Sequence, residues 1–221
     1  MRYRAFATDY DGTLAHDGQV DEQTVAALRR LAAAGCKLIL VTGRQWPDLH
    51  RVFPQVAIFD RVVAENGAVL IDPPSGQARE LADPPPAELI HALEEGGVQP
   101  LYRGQVVLAT VEPNEVLGRD LIEELGLNCD VILNKGSVMI LPRGIDKASG
   151  LRAALDELGI SAGDTVAVGD AENDQPLLEL AGFGVAVANA LDSLKQRASV
   201  VTNGDHGAGV RELIDTMLVG A

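Results

Sequence analysis

The sequence predicts an α/β fold in which a parallel-sheet core is interrupted by a small α+β insertion. Strand and helix signals alternate at the start of the chain and again after residue 145, as is typical of βαβ units. Between these two parts the signals follow the order αββαββ. We therefore predict a core domain of residues 1–82 and 144–221 and an inserted domain, here called the inserted module, of residues 83–143.

Apolar periodicity defines the elements of the first part. Val25, Leu28 and Leu31 recur at helical spacing after Asp21, a suitable N-cap, and the run KLILV at 37–41 is typical of a buried strand. The predicted elements are, in order, strand Tyr3–Thr8, helix Asp21–Ala34, strand Lys37–Val41, helix Gln45–Phe53, strand Val56–Phe59 and, around the Glu65-Asn66-Gly67 turn, a hairpin of Val62–Ala64 with Ala68–Ile71.

Two proline-rich stretches, Asp72–Gly76 and Asp83–Pro86, predict a linker out of the core. The inserted module then has predicted helices at 87–95 and 113–125 and predicted strands at 99–102, 106–110, 131–133 and 137–141. The α/β alternation resumes with predicted helices at 147–158, 174–181, 191–198 and 207–217 and predicted strands at 165–168, 183–187 and 200–201.

Composition excludes several classes of protein. Hydrophobic residues make up 47% of the 221 residues, which is enough for a buried core. The formal net charge of −14 disfavours nucleic acid and anionic membranes as partners, since both reward basic surfaces. The N-terminus lacks the apolar region of a signal peptide, and we expect Cys36 and Cys129 to be buried free thiols of a cytoplasmic protein. The sequence does not predict the oligomeric state.

Four polar clusters fall where predicted core strands end or a core helix begins. They are Asp9 with Asp11, Thr42-Gly43-Arg44, Lys147, and the segment 169–174 (GDAEND). Each alone has an ordinary explanation as a turn, a helix cap or a solvated charge. Together they lie at the carboxyl edge of a parallel sheet, where α/β enzymes build their sites.

These residue types suit phosphoryl transfer. One carboxylate can act as a nucleophile, and a second can exchange a proton with the leaving oxygen and with water. The acidic side chains would repel one another and a phosphate unless a cation such as Mg²⁺, which prefers oxygen ligands, lay among them. Thr42 and Lys147 can hold phosphate oxygens.

In order and placement, the segments DYDGT, VTGR, the lysine of GIDKASGL, and GDAEND resemble the four motifs of the haloacid dehalogenase superfamily. That resemblance implies a Rossmann-like core and a Mg²⁺-dependent phosphomonoester hydrolase that acts through an aspartyl phosphate. It implies Asp9 as nucleophile, Asp11 as general acid and base, Thr42, Gly43 and Lys147 as phosphate-binding residues, Asp170 as a Mg²⁺ ligand beside Asp9 and the backbone carbonyl of Asp11, Asp174 as a direct or outer ligand, and Asn173 as a residue that orients the site.

The αββαββ order of the insertion resembles the C2B cap of Cof-type phosphatases, sucrose-phosphatase-like enzymes and archaeal phosphoglycolate phosphatases, and the turn at 65–68 (ENGA) also resembles Cof-type sequences. The insertion is short for a Cof-type protein and is closer in length to that of the archaeal enzymes. The resemblance implies a small phosphorylated metabolite as substrate, either phosphoglycolate or a sugar phosphate. The second aspartate of DYDGT argues against a dehalogenase.

The sequence leaves the roles of some residues open. Arg44 either reaches a substrate anion or forms a surface salt bridge, and Asn66 either contacts substrate or only shapes its turn. We expect Arg103, Lys135 and Arg143 to lie on a solvated face of the inserted module, whereas any of them that faced the core would contact an anionic or polyol leaving group. Two other functions also remain open, a phosphosugar mutase of the same superfamily and a receiver-like signalling protein that is phosphorylated on aspartate.

Overall fold

The computed structural model describes residues 2–219, which form two sheets and eight α-helices. The strands are β1 (Ala5–Asp9), β2 (Lys37–Val41), β3 (Arg61–Ala64), β4 (Val69–Asp72), β5 (Gln77–Glu80), β6 (Tyr102–Arg103), β7 (Leu108–Val111), β8 (Cys129–Asn134), β9 (Ser137–Pro142), β10 (Thr165–Gly169), β11 (Phe183–Ala186) and β12 (Val200–Val201). The helices are α1 (Glu22–Ala33), α2 (Trp46–Val52), α3 (Ala87–Glu95), α4 (Glu115–Glu124), α5 (Lys147–Leu158), α6 (Gln175–Leu180), α7 (Asp192–Lys195) and α8 (His206–Val219).

The core sheet has the strand order β12-β11-β10-β1-β2-β3-β4-β5. The strands from β12 to β3 are parallel, whereas β4 and β5 extend one edge as antiparallel strands. All five residues of β1 are buried, and the chain passes from β1 to β2 on one side while β10 lies on the other. The predicted parallel core is confirmed, and β1 marks the point where the strand order reverses and a ligand crevice is expected.

Local sequence explains where the helices begin. Asp21 caps α1 by accepting a hydrogen bond from the backbone N–H of Thr24 at 2.8 Å. Asp146 and Ser149 form a reciprocal capping box at the start of α5. Each helix therefore starts at a fixed residue, and for α5 that residue is Lys147.

The inserted module contains the antiparallel sheet β6-β7-β9-β8 together with α3 and α4. It has an apolar cluster of its own, which includes Leu89, Leu93, Leu108, Ile122 and Ile140. The separate antiparallel sheet confirms the predicted fold class. The domain boundaries at residues 83 and 143 stay a prediction.

Two details of the sequence prediction are wrong. The strand predicted at Val56–Phe59 is absent from the described residues, because Pro54–Ile58 form a 3-10 helix and β3 pairs with β2 instead. Pro54 favours the first turn of that helix, and the buried Val56 and Phe59 are three residues apart, a spacing that also suits one face of such a turn. Moreover, residues 73–76 are a turn between β4 and β5, not a linker.

Within residues 2–219, no helix combines the length and the apolarity that crossing a bilayer requires.

Helix α5 approaches the β3–β4 turn very closely. A Cβ atom at Gly150 would lie 2.4 Å from Cγ1 of Val63 and 2.7 Å from Cα of Gly67. Gly67 has φ +111°, and a Cβ atom there would lie 1.8 Å from the carbonyl oxygen of Asp146. The two glycines thus allow the start of α5 to rest directly on the turn.

We predict that Gly150→Ala destabilises the protein. Overpacking a close contact costs about 1–3 kcal/mol, which exceeds the gain of about 1 kcal/mol from replacing a helical glycine with alanine. Urea unfolding should show a lower free energy of unfolding. The matched control is Gly118→Ala in α4, where the nearest atom is the flexible end of Ile140 at 3.1 Å and stability should be equal or higher. A Gly150→Ala variant as stable as the parent protein would contradict the packing described above.

Candidate active site

The four predicted clusters meet at one edge of the core sheet. Asp9 ends β1, Thr42 follows β2, Asp170 follows β10, and Lys147 opens α5. Because β10, β1 and β2 are adjacent parallel strands, their carboxyl ends lie side by side. All four of these residues are buried.

Three carboxylates form the centre of this edge. One oxygen from each of Asp9, Asp170 and Asp174 lies within 4.8 Å of the others. Like charges this close repel strongly in a buried site. A hard divalent cation with oxygen ligands is the group that such a donor set fits.

Lys147 supplies a positive charge to the cluster. Its Nζ donates to Oδ1 of Asp9 at 2.6 Å and to Oδ1 of Asp174 at 2.5 Å. Burial alone would lower the pKa of Lys147, but Asp174 and Asp9 outweigh burial, so its pKa lies above the ordinary value. The ammonium is therefore charged at neutral pH.

Asp9 still lacks enough positive charge. Burial raises the pKa of Asp9 well above its ordinary value, Lys147 opposes this shift, and the two neighbouring aspartates add to it. Lys147 therefore does not offset the combined effect of burial and the neighbouring carboxylates on Asp9. A divalent cation beside Asp9 would favour its ionised form.

The loop after β10 is held by its own acidic side chains. Oδ2 of Asp174 accepts hydrogen bonds from the backbone N–H groups of Asp170 and Ala171 at 2.9 and 3.0 Å. Oδ1 of Asp170 accepts from the hydroxyl of Thr13 at 2.8 Å. A Cβ atom at Gly12 would lie 2.3 Å from Oδ2 of Asp170, so the glycine lets the two loops meet.

Asp11 lies in a different environment from Asp9. Its side chain is 47% exposed, and its two oxygens accept from Nε and Nη2 of Arg44 at 2.6 and 2.8 Å. Nη1 of Arg44 donates to Asp48 at 2.5 Å, and the guanidinium lies 5.4 Å from the ring centroid of Tyr10. The carboxylate of Asp11 thus lies outside the group formed by Asp9, Asp170 and Asp174. Arg44 forms a salt bridge at the site itself.

The turn between β3 and β4 lies against the site. The backbone N–H of Asn66 donates to the carbonyl of Thr42 at 2.9 Å, and Oδ1 of Asn66 accepts from Nδ2 of Asn173, also at 2.9 Å. Among residues 2–219, neither Nδ2 of Asn66 nor Oδ1 of Asn173 has a hydrogen-bond partner, although both atoms are buried. Unpartnered buried polar atoms next to a carboxylate cluster favour a bound ion, water or substrate.

A cavity of about 350 Å³ lies between this edge and the inserted module; we call it the interface cavity. Its core side includes Asp9, Asp11, Gly43, Arg44 and Asn173, and its roof is lined by the following residues of the inserted module: Ala109, Asn134, Lys135, Ser137 and Met139. Residues of the core and of the inserted module therefore line the same space.

The expectation of a solvated face is wrong for Lys135. Its ammonium contacts Oδ2 of Asp170, across the interface cavity from the sheet that carries it. Lys135 and Gly136 form the β8–β9 turn, and that turn points at the core. Arg103 and Arg143, in contrast, are exposed and pair with Glu94 and Asp130 within the inserted module.

Two residues that the sequence did not single out support the loop that follows β1. Thr13 binds Asp170 as described above, and Nδ2 of Asn189 donates to the carbonyl of Gly12 at 2.7 Å. Thr13 could have been identified from the sequence, because it belongs to the DYDGT segment. Asn189 lies in a loop far along the chain, and its residue type alone does not indicate a role at the site.

We predict that Lys147→Met lowers the stability of the metal-free protein by about 3–5 kcal/mol, because it leaves buried carboxylates without their cation. Urea unfolding in the presence of a chelator measures this change. Added divalent cation should restore part of the loss.

The control for that variant is Lys37→Met. Lys37 pairs with Asp60 at 2.6 Å on the surface, where its side chain is half exposed. Removing an exposed pair should change stability by less than about 1 kcal/mol. Equal effects of the two substitutions would show that Lys147 does not carry the proposed buried charge balance.

Comparisons with known proteins agree with this geometry. The profile of the haloacid dehalogenase-like hydrolase family matches residues 6–95 and 109–214. The chain is 32% identical over 217 residues to a phosphoglycolate phosphatase of Methanothermobacter thermautotrophicus, which covers 96% of this chain and 97% of that protein.

Solved structures show the same fold. A HAD/COF-like hydrolase from Plasmodium vivax has a TM-score of 0.86 at 22% identity and covers 100% of this chain and 97% of that one. A sugar phosphatase of haloacid dehalogenase subclass IIB has a TM-score of 0.81 at 18% identity, with 98% and 99% coverage. Since the family profile spans most of both parts of the core, the chain belongs to the haloacid dehalogenase-like hydrolase family.

Proposed function

We propose that this phosphatase is a Mg²⁺-dependent phosphomonoesterase that hydrolyses a small phosphorylated acid through an aspartyl phosphate. The observation that carries the proposal is the position of Asp9. It ends the central strand, contacts the buried ammonium of Lys147 and opens into the interface cavity. Phosphoglycolate is the first candidate substrate because relatives matched over nearly their whole length are named phosphoglycolate phosphatases. A sugar phosphate is the second candidate.

The residues present fit Mg²⁺. Asp9, Asp170 and Asp174 would hold the ion with carboxylate oxygens, and the unpartnered Oδ1 of Asn173 lies at the same edge of the sheet. The family resemblance adds the backbone carbonyl of Asp11. When bound, Mg²⁺ would offset the negative charge that the carboxylates and the substrate phosphate bring together.

Asp9 is the proposed nucleophile. A carboxylate oxygen of Asp9 bonds to phosphorus while the bond from phosphorus to the ester oxygen breaks, and Asp11 gives that oxygen a proton. Asp11 then takes a proton from a water molecule that attacks phosphorus. The bond between phosphorus and Asp9 breaks, and inorganic phosphate leaves.

Arg44 is connected to the proton transfer. Both oxygens of Asp11 accept from its guanidinium, so the leaving oxygen would compete with Arg44 for that carboxyl group. A substrate phosphate or carboxylate in the interface cavity competes for the same guanidinium. Arg44 would therefore release Asp11 when an anionic substrate is bound.

Three further groups are proposed to hold the transferred phosphate. They are the hydroxyl of Thr42, the backbone N–H of Gly43 and the ammonium of Lys147. Thr42 is buried at the end of β2, and Gly43 lines the interface cavity. Asn173 would keep its orienting role through the hydrogen bond to Asn66.

Lys135 is the proposed contact for the non-phosphate end of the substrate. It lines the roof of the interface cavity, and its side chain is 44% exposed, so it has room to move from Asp170. If Mg²⁺ were bound beside Asp170, its positive charge would repel the ammonium of Lys135 and move it away from that carboxylate. A substrate carboxylate is the anion that Lys135 would then bind, which favours a phosphorylated acid over an uncharged leaving group.

We also propose a cytoplasmic location. Cys36 and Cys129 are buried free thiols, which suits a reducing compartment.

We predict that Asp9→Asn lowers kcat by about 10⁴-fold or more on the best substrate of a phosphomonoester panel assayed with Mg²⁺, because the amide oxygen is a poor nucleophile. Phosphate release should equal substrate loss, and a chelator should abolish it. The control, Asp120→Asn, changes an exposed residue of α4 and should retain activity. Full activity of Asp9→Asn would contradict the proposal, and isomerised product without phosphate release would favour the mutase.

We predict that Lys135→Met lowers kcat/KM for phosphoglycolate by about 10–100-fold, which is the worth of one hydrogen bond between charged groups. The value for p-nitrophenyl phosphate, which has no carboxylate, should change little. Arg143→Met is the matched control, because Arg143 is a cation of the inserted module that pairs with Asp130 away from the interface cavity. Equal losses on both substrates would show that Lys135 does not bind the substrate carboxylate.

A further inference from the structure

Glu65 is a buried acidic residue that joins the core to the inserted module. It opens the β3–β4 turn with φ +50°, and only 3% of its surface is exposed. Oε1 accepts from the backbone N–H of Gln105 at 2.9 Å, and Oε2 accepts from those of Val106 and Val107 at 2.9 and 3.0 Å. All three donors belong to the loop between β6 and β7.

This loop is shaped for an anion. Three consecutive amide groups converge on one carboxylate, as in the backbone nests that bind anions elsewhere. A Cβ atom at Gly104 would lie 2.3 Å from Oε2 of Glu65, so the glycine is what lets the carboxylate enter. Hydrogen bonds to an ionised acceptor are about twice as strong as those between neutral groups.

The same turn is bonded to the catalytic edge. The backbone N–H of Glu65 donates to the carbonyl of Arg44 at 3.0 Å, and that of Asn66 donates to the carbonyl of Thr42 at 2.9 Å. The next residue, Gly67, rests against the carbonyl of Asp146, directly before Lys147. The turn therefore touches the proposed phosphate-binding segments and the inserted module at once.

The loop that Glu65 holds continues into the roof of the interface cavity. β7 follows it and pairs with β9, so that Ala109 lies opposite Met139, and both line the cavity. The turn at the start of β9 carries Lys135. A shift of the loop at 105–107 would therefore move the residues that face the substrate.

We propose that Glu65 is a positioning residue that docks the inserted module on the core and thereby sets the place of Lys135 and Met139 over Asp9. The docking does not depend on the proposed function; only its kinetic consequence does. The competing explanation is that apolar contacts of Val106, Val107 and Met139 with the core hold the inserted module alone. The two explanations differ in what a loss of the carboxylate does.

The first test is amide hydrogen exchange of the free protein, measured by mass spectrometry on Glu65→Gln. The neutral amide of glutamine is a poorer acceptor for three backbone N–H donors than a charged carboxylate is. The amide hydrogens of the peptide that covers residues 104–108 should therefore exchange about tenfold faster or more. Peptides of β1 and β10 should keep the parent rate, which shows that the core is folded. Glu80→Gln, in the exposed edge strand β5, is the control and should leave all peptides unchanged.

A second variant reaches the same contact from the other side. Gly104→Ala places a methyl group against Oε2 of Glu65 and should accelerate exchange of the same peptide. The double variant should show no more acceleration than the greater single one, since both remove one contact. If Glu65→Gln fails to fold, Gly104→Ala still decides the question.

The kinetic test uses the substrate found for the parent protein. Misplacing the roof removes binding that is equal in ground and transition states, so Glu65→Gln should raise KM about fivefold and change kcat less than twofold. The KM of Glu65→Asp, which keeps the charge but has a shorter side chain, should lie between the KM values of the parent protein and of Glu65→Gln. Unchanged exchange at 104–108 in both variants overturns the proposal, even if the protein proves to have another activity. Faster exchange with unchanged KM overturns its kinetic part alone.

Discussion

The buried contact between Lys147 and two carboxylates is the constraint on which the rest of the site depends. A lysine ammonium leaves water only where the fold supplies opposite charge close by, and here Asp9 and Asp174 supply it at 2.6 and 2.5 Å. The partners are 138 and 27 residues from Lys147 along the chain. The core sheet, the capping box before α5 and the loop after β10 must therefore all be formed before this charge balance exists.

Much of this edge was predictable because its information is local. Each site residue follows a run of apolar residues that ends in a turn, or begins a helix behind a capping residue, and parallel strands place such ends together. The ends of these elements place Asp9, Thr42, Lys147 and Asp170 at one edge of the sheet. Local sequence also predicted the antiparallel sheet of the inserted module, since its strands are joined by short turns.

The features that escaped prediction depend on contacts between distant segments. Strand β5 has the exposed sequence Gln77–Glu80, so no apolar alternation marks it, and it is a strand only because β4 offers a free edge. Lys135 resembles a solvated turn residue until the inserted module is placed on the core. Glu65 resembles an ordinary polar turn residue, and its burial arises from amide groups some forty residues away.

The groups proposed to react and the groups proposed to select the substrate thus lie in different parts of the fold. The proposed reacting groups, Asp9 and Asp11, lie at the end of β1 in the core sheet, and the inserted module carries neither of them. The groups proposed to read the substrate lie on another sheet, which meets the core through a short loop, a few apolar side chains and the contact of Lys135 with Asp170. A small rotation at that contact would displace Lys135 and Met139 while Asp9 stayed in place. If the proposed docking role of Glu65 holds, substrate choice depends on docking geometry as much as on the residues that line the cavity, and composition alone does not encode that geometry.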